Sequence, residues 1–366
     1  MSIKTTPFSQ QGEVGRGDED IFGLTPNHLS LLREGTILGI ETSCDETSAA
    51  ILQNGELRSV VVSSQFFHDK FGGVVPELAS RAHVKSMLPI VRETLKRADL
   101  AIDTIDAIAV THSPGLMGSL LVGLNFAKGL ALGLQVPIIG VHHIEAHIFS
   151  AQLEDEKPSL PFVALVVSGG HTNIYVVHDF ERMRLVGQTR DDAAGEAFDK
   201  AAKLLNIGYP GGVVIDRLAR TGNTSAVSFP RSMKDSLEFS FSGVKTALLT
   251  YTKKLVRPPT DAEIPDIVAS YQEAIVDVLV EKTLRAAEMH AIGRVAVVGG
   301  VAANSRLRTR FREDADKKGI QVFIPPPVFC TDNAAMIAVV GHHFLQRGRR
   351  DPFDLNALSR WPIDNL

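Results

Sequence analysis

Cysteine is scarce. Cys44 and Cys330 are the only two in 366 residues. That excludes a disulfide framework and a CxxC zinc site, and it fits a reducing compartment. Uninterrupted apolar runs of about 18 residues are missing, so no membrane-spanning helix is expected. An excess of positive charge is missing too: 38 Lys and Arg face 42 Asp and Glu, for a net charge of −4. A general nucleic-acid or membrane-surface binder is usually basic overall, so any RNA contact must use a local patch. The N-terminus has no apolar signal-peptide core. It carries Glu13, Asp18, Glu19, Asp20 and Glu34, which an Arg-rich, acid-poor transit peptide would not. Residues 1–36 read as a mobile polar extension, and the cytoplasm as the compartment.

What is present suits a globular α/β protein. The chain is long enough for two domains or one large one, and 44% apolar with 22% charged residues is ordinary for a buried core. The ordered part begins at "TILGIETSCDETSAAILQNGEL". It reads as a buried strand, a polar turn, a returning strand and a tight Asn54-Gly55 hairpin turn. A third strand, a helix over "PELASRAHVKSMLPIVRETLKRADL", the strand "IDAIAVTHS" and the small-residue helix "SLLVGLNFAKGLALGL" follow. "PFVALVVSGGHTNIYVVHDFERMRLVG" then repeats the strand–turn–strand–turn–strand plan. Two similar α/β halves facing each other are expected, over 37–150 and 151–330. Residues 331–366 supply a last helix, packing back on the first half, and a tail. Ser242 is a plausible cap for the helix "SGVKTALLTYTKKL".

Several positions suggest chemistry, each with a plainer alternative. In "VPIIGVHHIEAHIFSAQL", His143 and His147 lie one helical turn apart, a bidentate metal platform or an ordinary pair of helix histidines. Glu145 lies two residues after His143, so on a helix it points away from the pair. A zinc-protease base would sit beside the metal. Asp332, at the start of the last helix, is the best candidate for a third ligand. The alternative is a simple N-cap made by Thr331 or Asp332. Glu41, Asp45 and Glu46 crowd one turn, where they serve a cation, a ligand or solvent. Ser168, Gly169 and Gly170 follow a buried strand and suit phosphate, or form a hairpin turn. Gly299 and Gly300 permit close backbone approach to a ligand, and Asn304 can bond a hydroxyl or a base edge. Asp199, Gly212 and Asp216 flank "GYPGG", where they suit a ribose or core salt links. Arg306, Arg308, Arg310 and Arg312, and Lys245, Lys253, Lys254 and Arg257, form basic segments. They are solvated helix faces or a tRNA-binding patch.

Taken together, "GIETSCDETSAAI", "HHIEAHIFS", "VSGGHTNIY", "GEAFDKAAKLL", "YPGG", "FSFSGVKTAL", "GGVAANSRLR" and "CTDNAAMIA" resemble, in order, the motifs of the TsaD/Gcp family. The resemblance runs from about Ile37 to at least Gly341. It implies an actin/Hsp70/sugar-kinase-like fold, with two ribonuclease-H-like halves around a cleft. It also implies one divalent metal held by His143, His147 and Asp332, iron first and zinc as the alternative. Val166, Val167, Ser168, Gly169, Gly170, Asp199, Gly212, Asp216 and Asn304 would hold threonylcarbamoyl-adenylate. Asp45 and Glu46 match acids near the reaction centre.

The implied activity is a tRNA N6-adenosine threonylcarbamoyltransferase. It moves the threonylcarbamoyl group to N6 of adenosine 37 in tRNAs reading codons that begin with A, and releases AMP. Bacterial members of the family work with TsaB and TsaE, and mitochondrial ones act as homodimers. The acidic N-terminus and net charge lean towards partner-dependent TsaB and TsaE homologues. An ATP-dependent small-molecule kinase on the same fold, a metalloprotease and a non-catalytic scaffold are the rival readings.

Overall fold

The computed structural model describes residues 35–363, apart from 66–67 and 69–72. Residues 1–34 of the expected extension lie outside this described part.

Two five-stranded sheets carry the fold. In the first, β1 (Thr36–Glu41), β2 (Glu46–Gln53) and β3 (Glu56–Ser64) form an antiparallel meander. β4 (Ala107–Ser113) pairs parallel with β1, and β5 (Ile138–His142) parallel with β4. The order is β3-β2-β1-β4-β5. The second sheet repeats it. β6 (Phe162–Val167), β7 (Thr172–Asp179) and β8 (Arg182–Gln188) meander, and β9 (Arg294–Val298) and β10 (Gln321–Phe323) add in parallel, giving β10-β9-β6-β7-β8. The repeat legible in the sequence is thus a repeat of topology and strand direction. Asn54 and Gly55 take φ of 55° and 80°, the pair of left-handed residues that a two-residue hairpin turn of this kind requires.

Both sheets are covered on both faces, which explains their unbroken apolar runs. On β6, Val163, Leu165 and Val167 face one core, while Phe162, Ala164 and Val166 face another. This is the two-residue period of a strand buried on both sides. The outer face of the first sheet packs α1 (Pro76–Ala98) and α2 (Met117–Leu134). The outer face of the second is covered by α4 (Ala194–Leu205), α5 (Gly211–Ala219), α6 (Ser242–Lys254), α7 (Ile264–Met289) and α8 (Ser305–Asp316).

Between the sheets lie α3 (His143–Phe149) and α10 (Ala334–Gln346), after the one-turn α9 (Pro327–Cys330). α10 packs on β1, β2 and β4. Its approach is so close that a Cβ on Gly39 would run into the Ala334 carbonyl oxygen, and one on Gly341 into Ala109.

Two expectations change. Ser242 does not cap α6. It is the first helical residue, and the Asp191 carboxylate accepts from the Phe241 N–H at 2.7 Å and the Ser242 N–H at 3.3 Å. A remote carboxylate has taken the place of a local hydroxyl. The second change concerns α2, which is long and apolar enough by length and composition to cross a membrane, with a mean hydropathy of 1.4 over 18 residues. Asn125 and Lys128 break its apolar run in the sequence, and in the fold it lies against α1 and β4.

Candidate metal centre and substrate cleft

The loops after β1, β4, β5, β6 and β9 converge at one place, as expected where parallel strands end in an α/β fold. β5 ends at His142, whose Nδ1 accepts from the backbone N–H groups of Ile144 at 3.2 Å and Glu145 at 3.4 Å. The first histidine of "HHIEAH" is therefore an N-cap. It starts α3 at once, and His143 and His147 then lie one turn apart, edge to face, with ring centroids 4.6 Å apart.

Asp332 meets this pair. Its Oδ1 lies 3.0 Å from His147 Nε2 and 3.7 Å from His143 Nε2. The helix α10 is capped by Asn333, whose side chain accepts from the Met336 N–H, and not by Thr331 or Asp332. That frees the Asp332 carboxylate to face the imidazoles. One donor atom from each of the three residues falls within 4.8 Å of the other two.

Behind the triad is a supporting layer in which Glu41, one of the three acids of the turn after β1, takes a definite place. His143 Nδ1 lies 3.2 Å from Glu41 Oε2 and 3.2 Å from Ser43 Oγ. Glu41 in turn accepts from the Ser43 N–H and the Thr111 hydroxyl. A carboxylate on Nδ1 orients the ring so that Nε2 faces the space shared with His147 and Asp332, as around metal-bound histidines. The Nδ1 of His147 is buried and has no hydrogen-bond partner among the described residues. The signal for Glu41 was its place as the last residue of a buried strand ending in an acidic turn.

The electrostatics fit a cation. Burial alone would pull the His143 imidazole down, but Asp332 and Glu41 push it up to about 9. Burial alone would raise Asp332, but His143 and His147 hold it below the usual carboxylate range. Burial, then the charges of Asp332 and Asp45, push Glu46 up to about 10. Burial, then Asp45 and Asp332, hold the Cys44 thiol far above its ordinary value. Burial, then His143 and His147, bring His171 down to about 4. Protons thus sit on groups that a divalent ion would relieve of mutual repulsion. Two imidazoles and a carboxylate, with Asp332 still 20% exposed, form a three-ligand set open on one side. The residues fit a divalent metal.

Glu145 is buried, and neither of its carboxylate oxygens has a hydrogen-bond partner among the described residues. Burial pushes it up to about 8. It lines neither of the two cavities at the centre, so it is not placed as a protease base there.

Two adjoining cavities open at the centre. The first, of about 850 Å³, is lined by Asp45, Glu46, His143, Asp332 and the Ser168–Gly169–Gly170 turn. The second, of about 770 Å³, holds Asp199 and shares Cys44, Asp45, Gly169 and Gly170 with the first. A Cβ on Gly169 or Gly170 would meet nothing, so this turn is an open rim. It is held by the Ser168 N–H donating to the His171 carbonyl at 2.8 Å.

Other expected ligand residues stand elsewhere. Val166 and Val167 are fully buried on β6 and reach neither cavity, because the strand alternation sends them into the two cores. Gly212 lies in the first turn of α5, outside both walls. Asp216 Oδ1 accepts from the Ser305 N–H and hydroxyl. Asn304 caps α8 and donates to Gln272 Oε1 at 2.7 Å. Both brace the Gly299–Gly300 turn from behind. Of the basic segments, Arg306 and Arg310 pair with Glu273, Arg257 with Glu263 and Lys245 with Asp192. These charges are neutralised within the fold. The residues missed include the Pro114–Leu116 turn, His171, Gln188 and the tail Ser359–Pro362, all in the wall of the first cavity. His171 stands inside a quoted motif. The tail carries no periodic pattern.

The sequence model of the TsaD family, described as tRNA N6-adenosine threonylcarbamoyltransferase, matches residues 56–339. A relative of that name from Syntrophus aciditrophicus is 58% identical over 330 residues, covering 90% of this chain and 98% of its own. One from Anaeromyxobacter sp. is 54% identical over 332 residues, covering 89% and 99%. Among solved structures, HypF from T. kodakarensis matches with a TM-score of 0.60 at 16% identity, covering 86% of this chain and 48% of its own. A full-length HypF in a phosphate- and nucleotide-bound form gives 0.58 at 14%, covering 85% and 46%. The chain spans about half the length of these HypF chains. At that identity the likeness is one of fold, and the fold is the actin/Hsp70/sugar-kinase type that the sequence led us to expect.

Proposed function

The chain belongs to the TsaD family of tRNA N6-adenosine threonylcarbamoyltransferases, and from that premise we propose how its cleft performs the transfer. It is an acyltransferase that modifies tRNA. The N6 amine of adenosine 37 bonds to the carbamoyl carbon of threonylcarbamoyl-adenylate. The bond from that carbon to the phosphate oxygen breaks, AMP leaves, and the amine proton passes to a base.

The observation that carries this reading is the meeting of three groups on one cavity: the His143–His147–Asp332 set, the Ser168–Gly170 turn and the Asp45–Glu46 pair. The adenine amine is a weak nucleophile because its lone pair is delocalised into the ring. Positioning and charge stabilisation must supply most of the barrier reduction. In our reading the open Gly169–Gly170 rim cradles the adenylate phosphate, and Asp199 faces the ribose from the second cavity. Asp216 and Asn304 hold the neighbouring turn in place. Asp45, shared by both cavities, accepts the amine proton. Glu46 carries its own proton at neutral pH and donates a hydrogen bond to an anionic oxygen. A bound metal, iron in our reading and zinc otherwise, supplies Lewis-acid stabilisation of developing negative charge.

A groove between α1 and α2 is lined by Val84, Met87, Leu121, Val122 and Phe126. Val84 is 66% exposed and Leu132, further along α2, is 60% exposed. Apolar side chains so placed mark an interaction face. We assign it to a TsaB homologue, with a TsaE homologue joining the assembly in the cytoplasm.

The test is single-turnover AMP release from threonylcarbamoyl-adenylate. The reading expects release that depends on an unmodified tRNA with adenosine at position 37 and is lost with guanosine there. Release that ignores that base would overturn it. Phosphate transfer from ATP to a small molecule would favour the kinase reading.

A further inference from the structure

The wall of the first cavity is crowded with acids, yet the adenylate it is read to hold is an anion, with a phosphate and a threonine carboxylate. Among the described residues in that wall, Arg360 is the one lysine or arginine. It is exposed, and it has no hydrogen-bond or ion-pair partner among the described residues. Arg306 and Arg310, by contrast, are paired with Glu273.

The backbone around Arg360 is fixed on both sides. The Leu358 N–H donates to the His112 carbonyl at 2.9 Å, and the Ser359 carbonyl accepts from the Gly115 N–H at 3.4 Å. On the other side, His142 Nε2 lies 2.8 Å from the Trp361 carbonyl, and the Trp361 ring meets His112 edge-on at 5.7 Å. Ala357 and Ile363 are buried as plugs at either end. His142 is also the cap that starts α3, so the tail is anchored to the same residue that sets His143 in place. An ordered strap thus presents one unpaired guanidinium to the cavity. Its order is supplied by its neighbours and leaves the charged fork free.

We propose that Arg360 is a substrate-binding residue that grips an anionic group of the adenylate, its phosphate or its threonine carboxylate, through the guanidinium fork. A guanidinium binds either group with two parallel hydrogen bonds, which an ammonium does not reproduce. The inference rests on the transferase reading, but its test does not need turnover.

The experiment is calorimetric binding to the metal-loaded full chain of two probes. AMP carries only the phosphate, and N-carbamoyl-threonine only the carboxylate. Wild type, Arg360→Gln and Arg360→Lys are compared, with metal content and circular dichroism as controls. We expect Arg360→Gln to weaken one probe at least tenfold and leave the other unchanged, which tells the phosphate from the carboxylate. Arg360→Lys should fall between. Metal content should not change. Equal binding of both probes by wild type and Arg360→Gln overturns the proposal, as does wild type binding neither probe. A raised KM for tRNA with both probes unaffected also overturns it, and assigns Arg360 to the nucleic acid instead. A wild type that makes no modified tRNA while probe binding falls in the variant defeats the transferase reading alone.

Discussion

At the scale of the residue, the account turns on where protons and lone pairs sit. His143 is pushed up to about 9 by Asp332 and Glu41, against the pull of burial. Metal must displace that proton, so metal affinity should rise about tenfold per pH unit below about 9 and level off above it. Competition titrations with a chelator at several pH values measure this slope, and a flat profile contradicts it. Asp332→Ala should lose the metal by elemental analysis while keeping its circular dichroism. Glu41→Gln should keep the fold and weaken metal affinity by roughly 10- to 100-fold, because it disturbs the partner that orients His143. Helical spacing marked His143 and His147 in the sequence, and Asp332 joined them through its place at a helix start and the family motif. The sequence did not show which of Thr331, Asp332 and Asn333 caps α10. All three are residues that cap helices well, and only the backbone decides. The same ambiguity hid the role of Asp191 at Ser242, since a cap from 51 residues away leaves no local pattern.

At the scale of the element, close approach is what places the ligands. α10 delivers Asp332 only because Gly39 on β1 and Gly341 on α10 let helix and sheet touch. Gly39→Ala should cost about 1–3 kcal/mol through overpacking and weaken metal binding along with it. Gly129, in the interior of α2 with nothing near its missing side chain, is the control. Gly129→Ala should leave metal affinity unchanged and raise stability by about 0.5–1 kcal/mol. Thermal melts with and without metal separate the two. The strands and long helices were readable because two-residue and helical periodicities persist over whole elements. The short tail was not. It is held by scattered single contacts, among them backbone hydrogen bonds with His112, Gly115 and Ile138 and the His142–Trp361 bond, and such contacts impose no periodicity. Val166 and Val167 illustrate the opposite limit. They belong to a motif that borders the cleft, yet the strand's alternation buries both.

At the scale of the whole molecule, duplication builds the cleft and leaves one outer face unfinished. The two sheets share strand order and direction, so their C-terminal edges meet across α3 and α10. The duplication was legible as two meanders of like plan. Their mutual placement was not, since it depends on residues such as Ala164 and Ala296 that are unremarkable in sequence. Asp332 sits between α9, which touches the Gly300–Ala303 turn beside the second sheet, and α10, which packs on the first. On the outside, α2 carries apolar residues on both faces, one on the core and one bare. Val84→Asp with Leu121→Asp should leave metal content and fold unchanged and abolish co-purification with a TsaB homologue. Retained association would place the partner elsewhere.

The most direct measurement is mass spectrometry of the nucleosides from an unmodified tRNA that reads codons beginning with A. The RNA is incubated with metal-loaded protein and threonylcarbamoyl-adenylate, with and without TsaB and TsaE homologues. The account predicts threonylcarbamoyladenosine at position 37 with wild type and none with Asp332→Ala. Absence of that nucleoside with metal-loaded wild type under both conditions would contradict it.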